Sequence, residues 1–351
     1  MTLPRDHYNE KRADSNDYLR HWKGTGDTGD TEGRGRRNEN YNKLANDFYD
    51  NATDFYLEGW GQSFHFCRYP HGPEPMPRAM ARHEHYLAHR LELKSGMTVM
   101  DAGCGVGGPA KEIAKFIDCK VVGLNNNDYQ VQKGREIARK EGVDSEVVDF
   151  VVGDFMRIPF PDNTFDAVYA IEATVHASSL QAVYSEIYRV LKPGGRFGVY
   201  EWVMKSASFD PSVEQHIALR TGIERGNGIA NIRTSDEAIS AIKDSGFDLE
   251  VAEDIAEHED PLPWWYVCDG STEYARTWAD WGRVARMTRF GRIALHFAIK
   301  CLEITGVARK GTAIMAKEMI GGGDCIASAA RKGLFTPMYL LIGQKPGKQT
   351  E

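Results

Sequence analysis

Between residues 97 and 201, short apolar runs alternate with stretches whose apolar residues recur at helical spacing. The pattern predicts strands at 98–101, 120–124, 149–152, 165–170 and 196–201. Helices are expected from the turn after the first strand to about 117, over 129–141 and over 180–191. Alternation of this kind predicts right-handed crossovers and a parallel sheet. Upstream, residues 41–70 place ten large side chains in thirty positions, with helical spacing at Tyr41, Leu44 and Phe48. Asn51 to Asp54 has turn chemistry and is expected to end that helix. A helix is also expected over 78–93, behind Pro75 and Pro77. Residues 1–40 carry eight basic and eight acidic side chains and little to bury, so they read as a mobile tail. The alternative there is one short docked helix around Tyr18, Leu19 and Trp22.

Beyond residue 205 the pattern predicts a helix over 234–245, a strand over 247–254 and an amphipathic helix over 283–305. A further helix over 310–330, flexible at Gly321 to Gly323, and a strand over 334–342 complete the chain. Trp264-Trp-Tyr266 is either core packing or a ligand contact. The helix over 283–305 carries Arg283, Arg286, Arg289, Arg292 and Lys300. It reads as a packed core or dimer helix, or as an interfacial helix attracted to anionic lipid.

The candidate chemistry lies at the carboxyl ends of the predicted strands, where open α/β sheets bind ligands. Asp101, Asn125, Asp154, Glu172 and Glu201 all fall there. The first strand runs into Asp101-Ala-Gly-Cys-Gly-Val-Gly-Gly108, an acid followed by a glycine-rich turn and a helix start. Free N–H groups and the positive dipole end at such a turn suit a polar ligand tail. The turn lacks the Lys-Ser/Thr pair of a phosphate loop, and S-adenosylmethionine (SAM) is the expected ligand. The bland alternative is an ordinary glycine-rich βα turn. Asp101 is a candidate for orienting the turn or binding the methionine ammonium. Asn125 is a candidate for the ribose hydroxyls, and Asp154 for the adenine amino group with Phe155 on the ring; helix caps are the alternative for both.

Composition narrows the picture. A net charge of −7 argues against a general nucleic-acid partner. The six cysteines form no CxxC pair, which favours a reducing, intracellular compartment. No apolar run reaches ~18 residues, so a spanning helix is not expected. His83, His85 and His89 share one predicted helix without a zinc-protease order, and no metal is expected. The aromatic segment is either a flap packed on the main domain or a cap over a large apolar ligand. Ring density does not choose between them, although aromatic faces stabilise a nearby cation by roughly 0.5–2 kcal/mol each.

From about residue 41 to Leu334-Phe-Thr-Pro-Met338 the chain strongly resembles the sterol 24-C-methyltransferases. The matching words include Gly59-Trp-Gly-Gln-Ser-Phe-His-Phe66, Ala81-Arg-His-Glu-His-Tyr86, the glycine turn, Gly123-Leu-Asn-Asn-Asn-Asp-Tyr-Gln130, Gly153-Asp-Phe-Met156 and Tyr169-Ala-Ile-Glu-Ala-Thr174. The chain departs from the family's pattern at Leu57, where an acid is frequent, and at Val175, where Cys is frequent. The resemblance implies methyl transfer from SAM to C24 of a Δ24 sterol. A C25 carbocation, a hydride shift and proton loss then give a 24-methylene sterol in ergosterol-type biosynthesis. Another unsaturated lipid as acceptor is the alternative, and a binding protein without turnover is a third reading.

The implied fold is a Rossmann-like class I SAM-dependent methyltransferase sheet (96–205). It has an aromatic cap (41–95) before it and a C-terminal α/β sterol-methyltransferase region (206–351) after it. Tyr56, His83, Glu84, Glu172 and Glu224 are the expected catalytic residues, with Tyr56 as cation stabiliser and His83 as a base candidate. Glu224 reads equally well as a structural charge. Tyr49, Asp101, Gly103, Cys104, Gly105, Gly107, Asn125, Asn126, Gln130, Asp154, Phe155 and Glu172 are expected around the cofactor. A homo-oligomer on the endoplasmic reticulum or lipid-droplet surface is expected, with a sterol substrate and no nucleic acid.

Overall fold

The computed structural model describes residues 12–24, 31–72, 74–275 and 278–347. Its centre is a seven-stranded sheet of β1 (Thr98–Ala102), β2 (Lys120–Asn125), β3 (Val148–Val152), β4 (Phe165–Ile171), β5 (Leu191–Met204), β6 (Asp248–Asp254) and β7 (Phe335–Gln344), in the order β3-β2-β1-β4-β5-β7-β6. The first five strands pair in parallel, and β7 runs antiparallel between β5 and β6. The central strands are buried on both faces, so they read as continuous apolar runs. Helices Met76–Arg90, Gly108–Ile117 and Asp128–Lys140 cover one face through Leu87, Ile113 and Val131. Helices Leu180–Val190 and Ser235–Asp244 cover the other through Val183, Ile187 and Ile242. Strand order reverses between β1 and β4, and the crevice at that switch point receives the turns after both strands.

Three elements differ from the sequence pattern for local reasons. Helix Tyr41–Gly59 is unbroken through residues 51–54. The turn-forming side chains there are spent elsewhere. Asn51 Nδ2 donates to the Asp47 and Ala13 carbonyls, Thr53 Oγ1 donates to the Tyr49 carbonyl, and Asp50 accepts from Ala13 N. The expected helix over 283–305 is two helices, Trp278–Met287 and Arg289–Ile304. Thr288 takes extended backbone angles and its hydroxyl accepts from Gly291 N, an N-cap that restarts the helix. Gly321 to Gly323 lie inside one helix, Thr312–Arg331. A Cβ at Gly322 would sit 2.6 Å from Gly226 Cα, so glycine permits helix Glu214–Asn227 to pack directly against it.

The mobile-tail reading of residues 1–40 is corrected for the described part. Helices Ser15–Arg20 and Thr31–Glu39 dock on the body. Tyr18 is fully buried, packs against Phe48 and donates to the Arg225 carbonyl; Trp22 is buried beside it. Residues 1–11 and 25–30 lie outside the described residues.

Candidate functional site

Two cavities meet above the switch point. The first lies over the glycine turn and the ends of β1, β2 and β4. β1 delivers Asp101 to its floor, paired in register with Gly123 and Tyr169. The turn is held by Gly103 N and Cys104 N, which donate to the Leu124 carbonyl at 2.8 and 3.1 Å. Gly103 (φ +94°) allows this path, and a Cβ there would lie 2.3 Å from that of Ala173. Gly105 (φ +57°) faces open space, with Phe64 at 3.8 Å the nearest side chain to a Cβ. Gly103, Cys104, Gly105, Asn125, Asn126, Gln130, Phe155, Glu172 and Tyr49 line this cavity with Asp101.

Its polar groups fit a nucleoside carrying an ammonium. Gln130 Oε1 accepts from Asn125 Nδ2 at 2.8 Å, and the buried Gln130 Nε2 is left without a partner among the described residues. That is a preformed donor for a ribose or base oxygen. Asp101 is bound only by the Tyr169 hydroxyl at 3.1 Å among the described side chains. Burial raises its carboxyl to about 7, against the lowering hydrogen bond from Tyr169.

The second cavity is aromatic and apolar. Helix Tyr41–Gly59 contributes Phe55 and Tyr56, the loop after it contributes Trp60 and Phe66, and β5 contributes Trp202. Helix Thr312–Arg331 closes it with Ala316, Ile320, Gly323 and Ile326. Tyr56 stacks on Phe64 at 5.1 Å and 27°.

Phe64, His65 and Glu172 line both cavities and form their common wall. Glu172 follows β4 with φ +55°. Its Oε1 accepts from Phe66 N at 2.8 Å and its Oε2 from Trp202 Nε1 at 2.7 Å. Burial raises this carboxyl to about 8, although His65 and both donors act to lower it. His65 places both ring nitrogens against acceptors: Nδ1 at 2.7 Å from the Phe66 carbonyl and Nε2 at 2.9 Å from Glu84 Oε1. Two acceptors require two N–H groups, so the ring is an imidazolium. Burial opposes that charge, but Glu84 and Glu172 outweigh it and hold the His65 pKa above its ordinary value.

The structure separates other expected residues from the two cavities. Glu84 is buried behind His65, accepting from it and from Ser63 Oγ at 2.7 Å, so it acts through His65. His83 stacks between His65 and Tyr200 and lines neither cavity. Burial and the His65 charge push its pKa well below the usual value. Glu224 is fully buried away from both cavities, accepting from Ile232 N and lying 3.7 Å from Arg220 and 3.8 Å from Arg37. That is the structural alternative, a charge tying helix Thr31–Glu39 to helix Glu214–Asn227. Asp154 does not line the first cavity: Tyr41 and Asn42 donate to its Oδ2 and Met156 N to its Oδ1. Gly107 packs on Phe150 instead of facing the cavity. Glu201 points to the opposite face, accepting from Thr174 and Tyr184. Trp264 and Tyr266 are core residues, and neither lines the aromatic cavity. His85 pairs with Glu112 at 2.9 Å and stacks on Phe116. Among the described residues no group of three or more His, Cys, Asp or Glu is arranged to hold a metal ion.

Sequence reasoning missed three side chains. Tyr41 lines the first cavity on Asp154, and His176 lines it 3.0 Å from the Tyr49 hydroxyl. His176 Nδ1 faces the Gly228 carbonyl at 3.1 Å, so it carries the proton, and burial holds the pKa at about 4. His65 stood inside a quoted word, yet its partner Glu84 is what defines its state.

Residues 100–199 match the family described as methyltransferase domain, and residues 283–347 match the one described as sterol methyltransferase C-terminal. The sterol 24-C-methyltransferase of Aspergillus fumigatus is 49% identical over 337 residues, covering 96% of this chain and 89% of that protein. The protein of that description from Schizosaccharomyces pombe is 47% identical, covering 94% and 87%. Among solved structures, the [4+2]-cyclase SpnF superposes with TM-score 0.64 at 23% identity, covering 88% of this chain and 96% of that one. A geranyl diphosphate methyltransferase in complex with GPP and sinefungin superposes with TM-score 0.60 at 18% identity, covering 88% and 99%. These two likenesses are ones of fold.

Proposed function

Because the chain belongs to the sterol 24-C-methyltransferase family, we propose that it methylates C24 of a Δ24 sterol and releases a 24-methylene sterol of the ergosterol type. The observation that carries this reading is the common wall: a polar cavity suited to a methyl donor and an aromatic cavity suited to a flat apolar acceptor meet at Phe64, His65 and Glu172. Asp101, Gly103, Cys104, Gly105, Asn125, Asn126, Gln130 and Phe155 would hold SAM, with Tyr49 covering it. When bound, SAM supplies an electrophilic sulfonium methyl.

The chain's own residues then manage a cation. The aromatic cavity excludes water, which would trap positive charge at C25. Tyr56, Trp60, Phe64, Phe66 and Trp202 line it, and ring faces so placed would stabilise that charge. Once the hydride has moved from C24 to C25, a base must remove one proton from the new methyl group. Glu172, in the carboxylate form that its raised pKa of about 8 makes predominant only above that pH, is the base of this proposal. Each of its oxygens accepts one hydrogen bond and keeps a second lone pair. His65 is already doubly protonated and is therefore no base; Glu84 neutralises its charge, and the pair orients the wall. The protein meets its substrate at the surface of a membrane or lipid droplet of the endoplasmic reticulum system, as a homo-oligomer. Among the described residues no helix is long and apolar enough to cross a membrane.

Purified protein with methyl-labelled SAM and a panel of Δ24 sterols, unsaturated acyl lipids and quinols tests the assignment. Label is expected in a 24-methylene sterol. Label confined to acyl or quinol products would replace the sterol by another unsaturated acceptor, and SAM binding without transfer to any substrate would remove the enzyme reading.

A further inference from the structure

Helix Arg289–Ile304 is apolar on two opposite faces. Leu295 and Ile299 turn inward onto Ala313 and Ala316 of the next helix. Phe290, Ile293, Phe297 and Ile304 form a stripe on the outer face and are 83%, 61%, 70% and 83% exposed. Trp278 before the helix and Val307 after it are 93% and 76% exposed. A helix with apolar residues all round is normally covered on every side, and a contiguous exposed stripe of this kind marks a contact surface.

Charge identifies the cover. Residues 284–310 carry six Lys or Arg and one Glu, in a chain whose net charge is −7. Arg286, Arg289 and Lys310 are exposed, while Arg292 and Lys300 are paired with Asp324 and Glu303. Aromatic and aliphatic side chains beside basic ones are the composition of a helix lying in a lipid interface.

The inner side of this helix adds a second observation. An apolar groove between it and helix Thr312–Arg331 runs past Ile293 and Ile299 to Leu295, Ala316 and Ile320. Those last three residues also line the aromatic cavity, so groove and cavity adjoin across a shared wall whose side chains must turn aside to let a substrate pass.

We propose that the outer face of helix Arg289–Ile304 docks on an anionic phospholipid surface, and that the groove behind it is the route by which an apolar substrate passes from that surface to the aromatic cavity. The docking part stands on the exposed stripe and its charge; the route part rests on the sterol reading above.

The test uses the full chain with mixed phosphatidylcholine–phosphatidylserine vesicles and with phosphatidylcholine vesicles alone. Phe290 and Phe297 line neither cavity nor groove, so the double variant Phe290→Asp/Phe297→Asp leaves the site intact. Wild type is expected to co-sediment with the mixed vesicles, and the double variant to partition at least about tenfold less. Turnover of vesicle-borne sterol should fall with it, while turnover of cyclodextrin-delivered sterol stays within about twofold. Arg286→Glu/Arg289→Glu, which changes only exposed charge, should weaken binding to the mixed vesicles and leave the phosphatidylcholine vesicles unaffected. Equal vesicle binding by wild type and the aspartate variant would overturn docking. So would a wild-type dimer that this variant converts to monomer, with wild type absent from vesicles. Equal loss of turnover with both delivery modes would overturn the route. Vesicle binding is read without turnover, so docking that survives in a protein methylating no sterol would leave this inference standing and remove the sterol reading alone.

Discussion

At the scale of single residues, the proposed donor cavity is defined by a few atoms whose chemistry is checkable. A Cβ at Gly105 projects into the space over the turn, and the positive φ adds strain for any other residue. Gly105→Val should therefore weaken SAM binding by at least about a hundredfold while leaving sterol binding within about threefold; calorimetry showing unchanged SAM affinity would move the donor elsewhere. Asp101 offers a pH test. Its raised pKa, about 7, means that the ligand-free protein holds a proton there below that pH. An ammonium pairs with the carboxylate form, so SAM affinity is full above about pH 7 and falls as pH drops, approaching tenfold per unit. In Asp101→Asn the affinity should be low and flat with pH; a flat profile in the wild type would contradict the pairing. Glu84→Gln should cut turnover by about tenfold or more, because the His65 imidazolium loses its counter-charge, with SAM affinity within about threefold. Equal losses in both would make Glu84 structural. Much of the lining of the first cavity was legible because Asp101 to Gly105, Asn125 and Gln130 follow predicted strands. His65–Glu84 and Tyr49–His176 were not, since each pair joins residues far apart in the chain and only packing brings them together.

At the scale of elements, the surprises come from side chains with two possible uses. Asn51 and Thr53 favour turns in isolation, but in helix Tyr41–Gly59 they bond backbone carbonyls and Asp50 bonds residue 13. The periodicity that continues past them is what survives. A charged, glycine-rich N-terminus reads as solvated, yet Tyr18 supplies an anchor with the Phe48 ring 5.5 Å away. Tyr18→Ala should lower unfolding free energy by about 3–5 kcal/mol, measured by urea denaturation. A change below about 1 kcal/mol would mean that the docked helix contributes little. Strands β1 to β4 were readable to within a residue at each end, because buried parallel strands leave an unbroken apolar signature, whereas β5 spans Leu191–Met204 where only 196–201 was expected. The Thr288 restart was not, since a threonine inside an amphipathic pattern does not by itself distinguish a cap from a helix interior.

At the scale of the whole molecule, the fold brings the α/β crevice at the switch point against a cavity made by segments from both ends of the chain. Helix Tyr41–Gly59, the loop through Phe66 and helix Thr312–Arg331 meet over β4 and β5, and Glu172 stands where the two spaces adjoin. In the proposed reaction the glycine turn belongs to the donor half, and the aromatic wall with Glu172 to the acceptor half. The account's central claim is that this wall is built for positive charge at C25. Calorimetry of a sterol analogue bearing an ammonium nitrogen at C25, against its neutral carbon isostere, with S-adenosylhomocysteine present, tests it. Above about pH 8, where Glu172 is a carboxylate, wild type should bind the cationic analogue at least about tenfold tighter, and Glu172→Gln should lose most of that preference. Equal affinity of wild type for the two analogues would contradict the account.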